Sequence, residues 1–275
     1  MVAAGIIAAP ATAAPTLYGV TFSNTLNTID TSTGASTFVG NLTTAMDPFD
    51  LAAYRGNLYT YDQLAVFTGD HHGLIRQLDP ATGATVNTID IGIQAFGEGA
   101  MAINPATGAG YLEGIEGLPY FFAFELSPLT GNAIGISNAV LDGLAFSPSG
   151  VLYGITQPVT DVTGHARLVV VDALTGAETV VGTNTGVIDN AVLGGLAFAP
   201  DGTLYAVESD NVTVTDLYTI DVTTGTATLI GSNNQRFSGI AFLDTSSVPE
   251  PPSFVIGMLG ILIGGLAWEH RKRAL

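Results

Sequence analysis

The stretch Asp172-Ala173-Leu174-Thr175-Gly176 decides the fold, because similar stretches recur at nearly constant spacing along the chain. In such a turn the Asp side chain caps backbone N–H groups and Gly takes the left-handed conformation, so the pattern predicts a tight hairpin. The glycines follow one another in steps of 45 to 49 residues. Four copies read Asp-x-x-Thr-Gly and the third begins with Ser127; they end at Gly34, Gly83, Gly131, Gly176 and Gly225. Regular recurrence at this spacing predicts a repeat architecture.

Three strand signatures accompany the turn in each repeat. The first strand carries a Leu-Ala-Phe-like motif, at Leu144-Ala145-Phe146, Leu196-Ala197-Phe198 and Ile240-Ala241-Phe242, and more loosely at Met101-Ala102-Ile103 and Ala52-Ala53-Tyr54. The second carries a Leu-Tyr pair, at Leu17-Tyr18, Leu58-Tyr59, Leu152-Tyr153 and Leu204-Tyr205, with a weaker Tyr111-Leu112. The fourth ends in an apolar residue and Gly, at Val39-Gly40, Val181-Gly182 and Ile230-Gly231. Four short strands per repeat are typical of a β-propeller blade.

Five turns predict an all-β, five-bladed β-propeller of four-stranded antiparallel blades over residues 16–245. The series of repeats begins in a second strand, Leu17–Val20, and ends after a first strand, Gly239–Leu243. Pairing of these two strands would complete one blade and close the ring, which removes its sheet edges. A solenoid or a long sandwich gives no reason for such an offset.

The composition excludes several classes of function. The 275 residues are 47% hydrophobic and 11% charged, with a formal net charge of -17. Lys272 is the only lysine, and residues 16–245 contain four arginines. Nucleic-acid binding needs many cations beside phosphates, so it is excluded as a role. The absence of cysteine excludes disulfides, thiolate metal sites and cysteine nucleophiles.

The long connections, between strands two and three and between blades, should lie together on one face of the ring. Partner-binding residues favour such loops. Candidate ligands for Ca²⁺ or another divalent cation there are Asp50, Glu98, Asp142, His71, His72 and His165. The alternative is a solvated acidic loop face, because no ligands follow one another at fixed spacing. Nucleophile-elbow, phosphate-loop and zinc-protease motifs are all absent from the sequence.

Residues 1–15 are similar to the later part of a secretory signal peptide. They contain a short apolar stretch and Ala11-Thr12-Ala13, which fits a signal-peptidase site, but no basic residue. A disordered, alanine-rich N-terminus is the alternative. Neither interpretation makes these residues part of the propeller.

The tail, residues 246–275, predicts one transmembrane helix. The run Phe254–Trp268 is uncharged and is followed closely by Arg271-Lys272-Arg273. It is shorter than the ~20 residues a membrane helix prefers, a mismatch that thinning or snorkelling absorbs. Because basic residues stay in the cytoplasm, the helix would place the C-terminus inside and the body outside. A buried C-terminal core helix is the alternative.

The tail closely resembles the PEP-CTERM sorting signal. It has the Pro-Glu-Pro motif at Pro249, Glu250 and Pro251, then the apolar helix from Phe254 to Trp268, then the basic end at Arg271, Lys272 and Arg273. The match covers about the last tenth of the chain. The resemblance implies processing by an exosortase, a Gram-negative host that makes exopolysaccharide, and release or attachment at the outer surface. The prolines keep the motif extended and accessible.

Two functional hypotheses follow. The first is a non-enzymatic surface or extracellular-matrix protein with no cofactor, whose propeller binds exopolysaccharide or other surface proteins. The second is a secreted propeller hydrolase or lactonase that uses a divalent cation in the central channel. The fold alone does not distinguish them.

Overall fold

The structure is a computed structural model. It describes residues 14–43, 46–63, 72–94, 96–115, 119–158, 161, 163, 165–182, 192–209 and 215–244. Within these ranges all regular secondary structure is β-strand, arranged as five sheets of four strands each. The predicted five-bladed propeller is therefore confirmed.

Blades 2 to 5 each take four consecutive strands, ordered from the central channel outward. Blade 2 contains β4 (Pro48–Tyr54), β5 (Asn57–Asp62), β6 (Leu74–Leu78) and β7 (Thr85–Asp90). Blade 3 contains β8 (Phe96–Ile103), β9 (Gly110–Ile115), β10 (Pro119–Phe124) and β11 (Asn132–Ile136). Blade 4 contains β12 (Leu141–Phe146), β13 (Leu152–Thr156), β14 (Leu168–Val171) and β15 (Glu178–Val181). Blade 5 contains β16 (Val192–Phe198), β17 (Leu204–Ser209), β18 (Thr215–Ile220) and β19 (Ala227–Asn233).

Blade 1 joins the two ends of the body, as the offset of the repeats predicts. Its outer strands are β1 (Thr16–Thr21), β2 (Thr25–Ile29) and β3 (Ser36–Asn41), and its inner strand is β20 (Phe237–Leu243). β20 pairs antiparallel with β1, with Leu243 opposite Thr16. The inner strands β4, β8, β12, β16 and β20 then pack side by side around the channel, and β20 packs against β4.

Two of the looser sequence matches are wrong by one residue. In blade 4 the last residue of the Leu-Ala-Phe motif, Phe146, pairs with Leu152 of the Leu-Tyr motif. In blade 2 the residue that pairs with the equivalent Leu58 is Ala53, so the first-strand motif there is Leu51-Ala52-Ala53 and not Ala52-Ala53-Tyr54. In blade 3 Ile103 lies opposite Gly110, so Gly110-Tyr111 replaces the expected Tyr111-Leu112. The Phe124 ring fills the space where a side chain at position 110 would lie, which explains the glycine.

The Asp-x-x-Thr-Gly turns have the expected geometry in four blades. In the turn of blade 4 the Gly176 N–H donates to the Asp172 carbonyl and the Leu174 N–H to the Asp172 carboxylate, both at 2.8 Å. Gly176 has a φ of 73°, in the left-handed region that favours glycine. Blade 3 differs, because Gly131 instead donates to the Ile91 carbonyl of the preceding blade.

Two separate sequence signatures meet in one contact between blades. The Gly that ends a fourth strand packs directly on the Thr carbonyl of the next blade's Asp-x-x-Thr-Gly turn, where a Cβ would clash with backbone. We call these contacts the Gly–Thr joints. They pair Gly40 with Thr82, Gly135 with Thr175, Gly182 with Thr224, and Gly231 with Thr33. Blade 2 meets blade 3 differently, through Gly131 against Ile91 and Ile93.

The hydrophobic core lies between the faces of adjacent blades. It forms five clusters of buried residues, one of which holds the fully buried Tyr61 and another Phe237. Tyrosines of second strands contact phenylalanines of the next blade's inner strand, as in Tyr153–Phe198 and Tyr205–Phe242. The Leu-Tyr and Leu-Ala-Phe signatures thus form the packing between blades.

Residues 1–13 and 245–275 lie outside the described residues, so the predicted signal remnant, sorting motif and transmembrane helix are not described. In the described part of the chain, no helix has the length and apolarity needed to cross a membrane.

Candidate functional site

The connections alternate between two faces of the ring. The turns from first to second strand and from third to fourth strand span two to seven residues, as between Phe146 and Leu152. The connections from second to third strand and between blades span three to eleven residues, and the longest lie here, as between Asp62 and Leu74. The expectation of a long loop is wrong in blades 1 and 3, where three residues join the second and third strands. Alternate connections of an antiparallel blade lie on the same side, so the ring has a tight-turn face and a long-loop face. The candidate ligands belong to the long-loop side.

Asp50 lies at the axis of the ring and is fully buried. Its Oδ1 accepts the Leu51 N–H at 2.8 Å, and its Oδ2 accepts the Met101 N–H at 2.8 Å and the Leu144 N–H at 3.3 Å. The φ of Asp50 is 51°, which a non-glycine residue rarely adopts. Both carboxylate oxygens are therefore engaged by backbone amides of three blades, which makes Asp50 a poor candidate for a cation ligand.

Burial raises the pKa of the Asp50 carboxyl well above its ordinary value, although the N–H groups of Met101, Leu51 and Leu144 act in the opposite direction. A carboxyl in this position is thus held by amide dipoles in a dry site.

Asp142 is also buried, at 3% exposure, but it does not share the position of Asp50. The ladder places Gly143, rather than Asp142, level with Asp50. Asp142 lies instead near Glu113, and its charge helps to raise the pKa of that carboxyl, an effect in which burial is larger. Glu113 was not predicted as a site residue.

Glu113 is fully buried at the boundary of blades 3 and 4. Its Oε2 accepts the Leu141 N–H at 3.3 Å, while Oε1 has no hydrogen-bond partner among the described residues. The signal in the sequence was a charged residue at a position where the other blades carry apolar or aromatic residues. Those residues are Val20, Tyr61, Ile155 and Val207.

The candidate histidines are not brought into one site. His72 is partly exposed and its Nδ1 lies 3.2 Å from the Asp90 carboxylate. His165 is half-buried between β13 and β14, in another blade. His71 and the side chain of Glu98 lie outside the described residues.

Within the described ranges, no group of three or more His, Asp or Glu side chains has the geometry to hold a metal ion. Divalent cations need several oxygen or nitrogen ligands around one point. The predicted cation in the channel, and the hydrolase or lactonase that would use it, remain untested predictions.

Two buried ion pairs lie on the long-loop side. Arg167 Nη2 lies 2.7 Å from Asp161 Oδ2, and Arg76 Nη2 lies 2.8 Å from Asp62 Oδ2. The side chains of Asp161 and Asp62 are 0% and 1% exposed. Burial alone would raise the pKa of Asp161, but hydrogen bonds from Thr163 and Arg167 hold it below its ordinary value. The sequence does not show which carboxylates an arginine will reach.

A cavity of about 560 Å³ opens at the tight-turn face, opposite the long loops. It is a funnel formed by the ends of the five inner strands, with Phe146, Phe198 and Phe242 among its walls. Arg55 and Asp244 are the charged residues of its lining. The funnel reaches the level of Leu51, Met101 and Leu144, whose amides hold Asp50.

The comparisons with known proteins support the fold alone. No protein family and no curated protein matches the chain. The chain is similar to the solved structure of a putative TolB from Agrobacterium tumefaciens, with 10% identity over 82% of this chain and 91% of that chain and a TM-score of 0.51. It is also similar to a protein from Lactobacillus plantarum, with 15% identity over 84% of this chain and 99% of that chain and a TM-score of 0.47.

Proposed function

We propose that this protein is an exosortase-sorted surface or extracellular-matrix protein of a Gram-negative bacterium, and that its propeller is a non-enzymatic binding or structural module. The sequence of the tail carries the proposal. Pro249-Glu250-Pro251, the apolar run Phe254–Trp268 and the basic end Arg271-Lys272-Arg273 follow one another in the order of a sorting signal.

The sequence of events follows from the polarity of the tail. The apolar run stops in the inner membrane, with the basic end in the cytoplasm and the propeller on the other side. An exosortase then cuts near the Pro-Glu-Pro motif, and the body reaches the cell surface or the extracellular polymer. A segment rich in proline does not continue a helix, so the motif stays accessible to the processing enzyme.

The described body suits such a location. Pairing of β20 with β1 closes the ring, so each inner strand packs between neighbours. The chain leaves the body at Asp244, directly after the strand that closes the ring. The body is acidic and contains no lysine, and its partners are exopolysaccharide or other surface proteins rather than nucleic acid.

The test compares the full chain with a chain that lacks residues 249–275, both expressed in a host that has an exosortase and makes exopolysaccharide. Cell fractionation should show the full chain at the surface and the truncated chain elsewhere. Pro249→Ala together with Pro251→Ala keeps the membrane helix and should leave the unprocessed protein in the inner membrane. Pro252→Ala, just beyond the motif, is the matched control and should be processed normally. Surface delivery of the truncated chain would contradict the proposal.

A further inference from the structure

We propose that the five inner strands form a carboxylate-binding site on the axis of the propeller, and that Asp50 is a ligand which the chain supplies to its own site. The inference does not depend on the proposed function. It rests on the amide contacts of Asp50, on the residues at the equivalent positions of the other blades, and on the shape of the inner strands.

The contacts of Asp50 are those of a bound carboxyl group. Three backbone N–H groups from blades 2, 3 and 4, those of Leu51, Met101 and Leu144, donate to its two oxygens. These three residues occupy equivalent positions in their blades, and each follows by one residue the position that Asp50 occupies in blade 2. Main-chain amides that converge on one point form an anion-binding concavity. Among the described residues no cationic side chain contacts the carboxyl group of Asp50, so backbone amides hold it.

The other four blades keep the equivalent position small, which leaves room on the axis for one carboxylate. The residues there are Ala100, Gly143, Gly195 and Gly239. A Cβ on Gly195 would lie 2.9 Å from Asp50 Oδ1, and a Cβ on Gly239 would overlap the backbone of Asp50. Asp50 thus touches blades 5 and 1 as well. Only one of the five positions can carry a long side chain.

The backbone around the site is shaped in the same way in every blade. The pairing of inner and second strands shifts register just before the Leu-Ala-Phe position in blades 2 to 5, for example between Leu141 and Gly143. In blade 1 the shift lies between Val20 and Thr21, which face Gly239 and Phe237. β-Bulges re-aim backbone and side-chain groups, and they often lie beside functional sites. Their position explains why amides at one level face the axis.

The funnel gives the site an approach from solvent. Leu51, Met101 and Leu144 line the cavity of about 560 Å³ and also donate to Asp50. Asp50 does not line the funnel and is fully buried, so its carboxyl group lies beyond the narrow end, behind these three residues. If it is removed, a free ligand of the same chemistry, a small carboxylate, should take its place.

The test replaces Asp50 by Gly, the residue present at three of the equivalent positions, and measures thermal unfolding with and without sodium formate. Loss of the three hydrogen bonds should lower the Tm by about 10 °C. Formate at tens to hundreds of millimolar should restore much of this loss, since a ligand that binds only the folded state stabilises it by mass action. Sodium chloride at equal ionic strength should restore much less. Transferred saturation from the protein to formate should be seen in NMR spectra of the variant and not of the wild type.

The matched control is Asp30→Gly, which removes an exposed carboxylate from an Asp-x-x-Thr-Gly turn and should gain nothing specific from formate. If Asp50→Gly does not fold in plain buffer, refolding yield with and without formate replaces the Tm as the readout. An Asp50→Gly variant whose Tm does not rise on addition of formate would overturn the proposal. Equal responses to formate in Asp50→Gly and Asp30→Gly, by both Tm and NMR, would also overturn it.

Discussion

The tight-turn face and the long-loop side of the ring are stabilised in different ways. The Asp-x-x-Thr-Gly turns of the tight-turn face take part in the same Gly–Thr joint at four blade boundaries, with Gly40 on Thr82 as one example. On the long-loop side the buried polar groups occur once or twice, such as the Asp161–Arg167 pair and Glu113. The repeated joints connect neighbouring blades around the ring, whereas the buried polar groups differ from blade to blade. Substitutions at the two kinds of position should therefore change the free energy of unfolding for different physical reasons.

The largest effect is expected on the long-loop side, from Arg167→Met. The variant keeps much of the aliphatic packing but leaves the Asp161 carboxylate, 0% exposed, without its cation. Removing one partner of a buried ion pair typically costs about 3 kcal/mol or more. Urea unfolding monitored by tyrosine fluorescence measures the loss. Arg55→Met, which removes an exposed arginine stacked on Tyr54, is the control and should change stability by less than about 1 kcal/mol. Equal losses in both variants would contradict the distinction.

A smaller loss is expected at a Gly–Thr joint from Gly40→Ala. Gly40 does not have a positive φ, so the added methyl acts only by clashing with the Thr82 carbonyl. Overpacking of this kind costs about 2 kcal/mol. Gly202→Ala gives the complementary case, because Gly202 has a φ of 92° and no atom within 4 Å of the added Cβ. Its backbone strain should cost about 1 kcal/mol. A neutral Gly40→Ala variant would show that the Gly–Thr joint does not need close contact.

The smallest effect has the opposite sign and concerns Glu113→Gln. The pKa of Glu113 is raised in the folded state, so its stabilising contribution is complete below the unfolded pKa and is lost as the pH rises through the folded pKa. The glutamine variant avoids this loss and should be more stable than the wild type by about 1 kcal/mol at neutral pH. The difference should disappear at about pH 3, where the wild-type carboxyl is protonated in both states.

Thermal unfolding across this pH range tests the Glu113 prediction. Glu125→Gln, at an exposed position, is the matched control and should show no such dependence. A pH-independent difference between Glu113→Gln and the wild type would mean that packing, and not charge, distinguishes them.

The sequence predicted the ring because the ring is built from repeats. The Asp-x-x-Thr-Gly turns and the offset between Leu17 and Leu243 were enough to predict five blades and their closure. The register failed where a repeat lacks its usual residue, as at Gly110, whose place is filled by a side chain from the neighbouring strand. Such compensation is invisible in a linear pattern.

The buried polar groups were harder to predict, because their roles depend on three-dimensional neighbours. Asp50 was predicted only as a candidate cation ligand, because a lone Asp in a sequence does not show that amides from three blades converge on it. Glu113 was detectable only as a charged residue at a core position. The histidines share loops in the sequence pattern, yet His72 and His165 belong to different blades.

The pairing of Leu243 with Thr16 has a consequence for how the protein is made. Until β20 has been synthesised, β1 lacks its inner neighbour and β4 lacks one of its two flanking strands. Contacts between residues so distant in sequence form slowly. The ring is therefore finished last, and shortening the body by a single strand at Phe237–Leu243 would leave an open arc of four complete blades rather than a smaller propeller.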